Sequence, residues 1–111
     1  MVASGTTYYM PLGGGFASTT ALAIENRYLL PFDCEIVDCL LLTENAAGLS
    51  TVKIYVDDVE VDNLTPTMLA GSPLVLDFSG NDVDAGETIS VSVNSANAPG
   101  ETYFALNVRI K

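Results

Sequence analysis

The chemistry open to this chain is bounded first by what it lacks: its 111 residues include no histidine and no tryptophan. Without histidine, the Ser-His-Asp and Cys-His nucleophile systems and the usual zinc sites cannot be assembled. The fourteen acidic residues offer carboxylate pairs of the kind that hydrolyse glycosides. Nothing singles out one pair, and no tryptophan supplies a sugar platform. No nucleophile, base and orienting group fall together, so no catalytic residue is assigned and the chain reads as a non-enzyme. Asp77, Asn81, Asp82, Asp84 and Glu87 lie in acidic turns and could direct oxygens at calcium, a cation that takes about six to eight of them. Their spacing departs from the EF-hand loop, and acidic turns are commonly just solvated. They are calcium candidates on ligand type alone, and no cofactor is assigned.

Two further patterns lead away from chemistry. Gly13-Gly14-Gly15 is followed by neither the Lys nor the helix start that a phosphate cradle requires. Cys34 and Cys39 are the only cysteines. On one regular strand they sit roughly 16 Å apart, at about 3.3 Å per residue, and point to opposite faces. A disulfide needs Cα atoms within about 7 Å, so both thiols are expected to be free and buried. That fits assembly in a reducing cytoplasm.

Charge excludes two partner classes. Arg27, Lys53, Arg109 and Lys111 stand against the fourteen acids, giving a net charge of -10. Such a chain is repelled by nucleic-acid phosphates and by anionic membrane surfaces. No apolar run approaches the roughly 20 residues of a membrane helix. The segment 1–7 lacks the basic and apolar blocks of a signal peptide, so a cytoplasmic product is expected.

The elements that must position any site read as strands. Ile89, Val91 and Val93 alternate with Thr88, Ser90 and Ser92; Phe104, Leu106, Val108 and Ile110 alternate with Tyr103, Ala105, Asn107 and Arg109. Alternation gives each run an apolar face and a largely wettable one, and the two read as an antiparallel pair about the loop 94–101. Val52, Ile54 and Val56 form another inward row, with Lys53 and Tyr55 outward, and Asp57-Asp58 marks a tight hairpin to Val59-Glu60-Val61. Residues 44–50 and 63–73 read as loops, 74–78 as a short strand and 79–86 as a turn. Residues 21–30 are read as a strand ended by Pro31.

Residues 34–43 form a strand with an unusual property. Regular alternation puts Ile36, Leu40 and Leu42 on one face and Val37, Cys39 and Leu41 on the other, so both faces are apolar from 39 to 42. Cys39 and Leu41 are therefore candidate interface residues. Tyr8, Tyr9 and Met10 are the others, the apolar knot of a low-charge arm over 1–20 that is flexible or bound to a partner. The fold expected is an all-β antiparallel sandwich of about seven or eight strands over 21–111, a single domain.

Several stretches carry a resemblance: Thr7-Tyr8-Tyr9-Met10-Pro11, Tyr28-Leu29-Leu30-Pro31-Phe32-Asp33, Ser50-Thr51-Val52-Lys53-Ile54-Tyr55-Val56 and Ala85-Gly86-Glu87-Thr88-Ile89-Ser90-Val91. Together the chain resembles small jelly-roll virion proteins of tailed phages, marine ones especially. The last stretch looks like the turn and strand of tumour-necrosis-factor-like jelly rolls on phage heads and spore surfaces. The resemblance implies a jelly-roll-like fold, a place on the virion surface after assembly in a host cytoplasm, and a homotrimer. It implies a structural role, foremost a capsid decoration (cement) subunit whose partner is the phage major capsid protein or a neighbouring virion subunit. The alternative is a head- or tail-fibre tip that binds a receptor or glycan through loops 44–50, 63–73 and 94–101.

Overall fold

A computed structural model describes residues 8–10 of the backbone, 28–97 and 102–111. These form nine strands and no helix: β1 (Tyr8–Met10), β2 (Tyr28–Leu29), β3 (Cys34–Thr43), β4 (Gly48–Val56), β5 (Val59–Leu64), β6 (Thr67–Met68), β7 (Leu74–Val83), β8 (Thr88–Ser95) and β9 (Thr102–Ile110). The larger sheet runs β1-β8-β4-β5, with β2 also on β8 and β6 also on β4; the smaller runs β7-β3-β9. All strand pairs are antiparallel. The molecule is an all-β sandwich, as alternation predicts.

The core lies between the sheets. Val52, Ile54, Ile89, Val91 and Val93 face Cys34, Ile36, Cys39, Leu41, Leu76, Phe78 and Val83, and all are buried. Burial of such side chains contributes about 1.5–3 kcal/mol each. The β4–β5 connection is the expected two-residue hairpin. Asp57 and Asp58 both have positive φ, 48° and 67°, which is the backbone of a type I′ turn.

The structure corrects four expectations. First, β8 and β9 do not pair: β8 lies between β4 and β1 in one sheet, and β9 lies beside β3 in the other. Their apolar rows face each other across the core, a placement that alternation alone cannot separate from side-by-side pairing. Second, the wettable row of β8 is not wet. Ser90 and Ser92 are buried, with Ser92 Oγ 3.1 Å from Tyr55 Oη; Ser95, which continues the apolar row beyond Val93, is buried too, its Oγ 3.0 Å from Ser50 Oγ. These bonds offset the desolvation of their hydroxyls.

Third, residues 79–83 are not a turn but the continuation of β7. The turn signals there mark an irregularity in its pairing with β3, where the register shifts between Ile36 and Asp38. Gly80 supplies a positive φ of 88°. The irregular backbone is satisfied locally: Ser79 N donates to Asp77 Oδ1 (2.9 Å) and Asn81 Nδ2 to Phe78 O (2.8 Å).

Fourth, the same irregularity re-aims β3. Ile36 pairs with Val108 and Asp38 with Asn107, leaving Val37 as the extra residue of a bulge. One extra residue reverses the face of everything beyond it. Cys34, Ile36, Cys39, Leu41 and Thr43 therefore share the inner face, and Leu40 and Leu42 turn outward. Both cysteines are free and buried as expected, although they share one face.

Of the arm over 1–20, residues 8–10 are held as β1, Tyr8 opposite Val93 and Met10 opposite Val91. The remainder lies outside the described residues, as does most of 21–30 except Tyr28–Leu30. The loop over 63–73 contains β6 and the end of β5, with Met68 buried and Leu69 exposed.

Candidate docking surface

The outer face of the β7-β3-β9 sheet is divided crosswise. Register places Val75, Leu40 and Ala105 in one row and Leu42 beside Tyr103 in the next. Val75 and Tyr103 are 60% and 59% exposed, and the two leucines are half-buried between their neighbours. No charged side chain stands in these rows. The next row holds Asp77, Asp38 and Asn107, and beyond the bulge come Asp82, Glu35 and Arg109. Here charges pair: Asn107 Nδ2 donates to Asp38, Arg109 to Glu35, and Lys111 Nζ lies 2.5 Å from Asp82. The Asp82 carboxylate raises the pKa of Lys111, and the Ser79 hydroxyl and N–H lower that of Asp77.

The apolar half adjoins one end of the sandwich, where loops are tied together by backbone bonds. Gly71 N donates to Thr43 O (2.9 Å), Ser50 N to Pro66 O (2.8 Å), Ala96 N to Leu49 O (3.0 Å) and Asn97 N to Ala47 O (2.9 Å). The described parts of the three loops expected to bind a glycan thus meet at this end. Leu49 and Leu69, each 62% exposed, project there. Gly48, with φ +69°, makes the close approach: a Cβ there would stand 2.9 Å from Asn97 Nδ2.

The opposite end is acidic. Asp33 accepts from Ala85 N (2.8 Å), Asp57 from Thr88 N (2.9 Å) and Glu87 from Asp84 N (2.7 Å). Glu87 N closes the Asp84–Glu87 turn onto Asp84 O at 3.0 Å, with Gly86 at φ +92°. That pattern is a type II turn.

Against this geometry the expected site residues separate. The calcium candidates do not converge. Asp77 and Asn81 satisfy the β7 irregularity, Asn81 also donates to Asp62, Asp82 pairs with Lys111, and Glu87 caps its own turn. Among the described residues no three carboxylates or thiols stand close enough to hold a metal ion. Cys39 and Leu41, read as interface residues, are 0% exposed and belong to the core. Burial, and then the Asp38 charge, push the Cys39 thiol up to about 12; burial and Asp33 raise that of Cys34. Tyr8, Tyr9 and Met10 sit on β8 as backbone pairs. The residues missed are Leu40, Leu42, Val75 and Tyr103. The signal for them was the unbroken run Cys39-Leu40-Leu41-Leu42, which has an apolar outer row in either register.

Comparison with protein-family models, curated proteins and solved structures gives no match.

Proposed function

We propose that this chain is a non-enzymatic virion protein, a capsid decoration subunit that docks on the phage major capsid protein through the apolar half of its β7-β3-β9 face. The observation that supports the reading is the outward row Val75-Leu40-Ala105 with Leu42 and Tyr103 on an otherwise strongly acidic chain. A contiguous apolar patch with a charged border is a common mark of a protein-binding surface. The jelly-roll-like architecture agrees with the resemblance in sequence, although a sandwich hosts many functions. In this reading the acidic end points away from the shell, where negative charge keeps virions apart in solution. Mixing purified protein with undecorated capsids of the encoding phage and sedimenting the shells tests it. The protein is expected in the pellet at a fixed ratio to capsid subunits; protein that stays in the supernatant counts against the proposal.

A second reading is supported by the meeting of loops 44–47, 65–73 and 96–97 at one end. In that reading the chain is a fibre tip that recognises a host glycan or receptor there. Binding to host cell surfaces, lost on Leu49 and Leu69 substitution but kept when Leu40 and Leu42 are changed, separates it from the first.

A further inference from the structure

The outer face of the β7-β3-β9 sheet carries two charged rows that are neutralised to different degrees. In the row far from the apolar half, Asp82 and Glu35 are matched by Lys111 and Arg109. In the row that borders the apolar half, Asp77 stands directly opposite Asp38, with Asn107 beyond. Among the described residues no cation pairs with either of these two acids. Lys53, the remaining described base, is held by Glu60 on the other sheet.

The bonds that the two acids do make are to neutral donors. Asp77 Oδ1 accepts from Ser79 N (2.9 Å), and Asp38 Oδ1 accepts from Asn107 Nδ2 (2.5 Å). The Ser79 hydroxyl and N–H hold Asp77 below the usual carboxylate range, so it is ionised at neutral pH. Two negative charges thus stand side by side, an arrangement that is repulsive on an antiparallel pair. Side chains on one face of a strand recur about every 6.8 Å, so this row lies roughly 7 Å from Val75, Leu40 and Ala105.

We infer that this row receives a cation from the protein that covers the apolar half: the partner surface presents an apolar side chain over Val75, Leu40 and Ala105 and a lysine or arginine, about 7 Å away, between Asp77 and Asp38. The inference rests on the shell-docking reading and names the chemistry of the capsid surface it uses. An arginine suits the place well, because its planar fork can donate to both carboxylates at once. The apolar contact beside it excludes water and strengthens the attraction. A second copy of this chain is a poor occupant, since its described cations are engaged by its own acids and its net charge is -10.

Co-sedimentation with undecorated capsids of the encoding phage provides the test. The variants are Asp77→Asn and Asp38→Asn, with Asp84→Asn as a control that makes the same change in net charge at the opposite end of the sandwich. All are first shown to share the circular dichroism spectrum of the parent. Asp77→Asn and Asp38→Asn are each expected to bind about tenfold more weakly, and Asp84→Asn as the parent does. The advantage of the parent over Asp77→Asn is expected to shrink as salt rises from about 0.05 to 0.5 M, because screening acts on charge and spares apolar contact. If the parent and both row variants bind alike, the inference is overturned and apolar docking stands without it. A loss matched by Asp84→Asn reports a general effect of charge and overturns it as well. A parent that stays in the supernatant overturns the docking reading and this inference together.

Discussion

Asp38 stands opposite Asn107 across the β3–β9 pair and accepts a hydrogen bond from its Nδ2 at 2.5 Å. This pair is the border of the outer face: Leu40, Leu42, Ala105 and Tyr103 lie on one side, and Glu35 and Arg109 on the other. Asn107→Leu removes one of the three polar side chains of this border, Asp38 and Asp77 remaining, without touching the core. It is expected to change stability by no more than about 1 kcal/mol, because an exposed hydrogen bond contributes little net. It should also widen the apolar patch and increase retention on a hydrophobic column.

The bulge at Val37 makes two adjacent leucines respond differently. Leu41→Asp places a charge in the core and is expected to cost about 4 kcal/mol or more, a large share of a small domain's stability. Leu42→Asp points outward and is expected to fold, with a loss below about 1 kcal/mol. Urea unfolding of the two variants measures the contrast. Equal losses would contradict the bulged register.

That register defines how far the sequence was legible. Alternation shows which runs are strands and that the chain is all-β, because period two survives any sheet order. It located the inward row of β4, and the turn residues located the Asp57-Asp58 hairpin; the thiols are buried as cysteines commonly are, but alternation had put them on opposite faces. It could not show that β8 and β9 face each other across the core, since the same alternation serves either placement. Nor could it show the bulge: Asp38 looked like an interruption of a regular strand, and the extra residue exchanged the faces of Cys39 and Leu41 with those of Leu40 and Leu42. The apolar segment was visible; its outward members were not. The acids around Asp77–Glu87 suggested a cation because a list of oxygen ligands carries no geometry; here Asp77 and Glu87 accept from nearby backbone N–H groups and Asp82 pairs with Lys111.

The thiols provide a pH test. Burial raises Cys39 to about 12 in the folded chain, with Asp38 adding to it, against an ordinary value of 9.0. The folded state therefore holds this proton more tightly than the unfolded state does. The corresponding stability is fully present below the ordinary value and is lost as pH rises from there toward the folded value. Between about pH 9 and pH 11 the parent should lose stability at up to about 1.4 kcal/mol per pH unit from this residue. Cys39→Ala should show a shallower decline in urea midpoint over that interval, although it is less stable at neutral pH. Parallel curves for the two proteins would count against the buried thiol.

Two backbone positions should respond in opposite directions. Gly48→Ala forces a Cβ onto a backbone with φ +69° and against Asn97, and is expected to destabilise by about 1–2 kcal/mol. Asp58→Gly relieves a positive φ of 67° in the type I′ turn and is expected to stabilise by about 0.5 kcal/mol. Thermal unfolding checks both signs.

The outward apolar row is the centre of the functional account, and the most direct measurement is binding of Leu40→Asp/Leu42→Asp to undecorated capsids beside the parent. Both proteins are first shown to share a circular dichroism spectrum. The account predicts that the parent saturates the shell and that the double variant remains in the supernatant. A folded double variant that co-sediments as the parent does would contradict it.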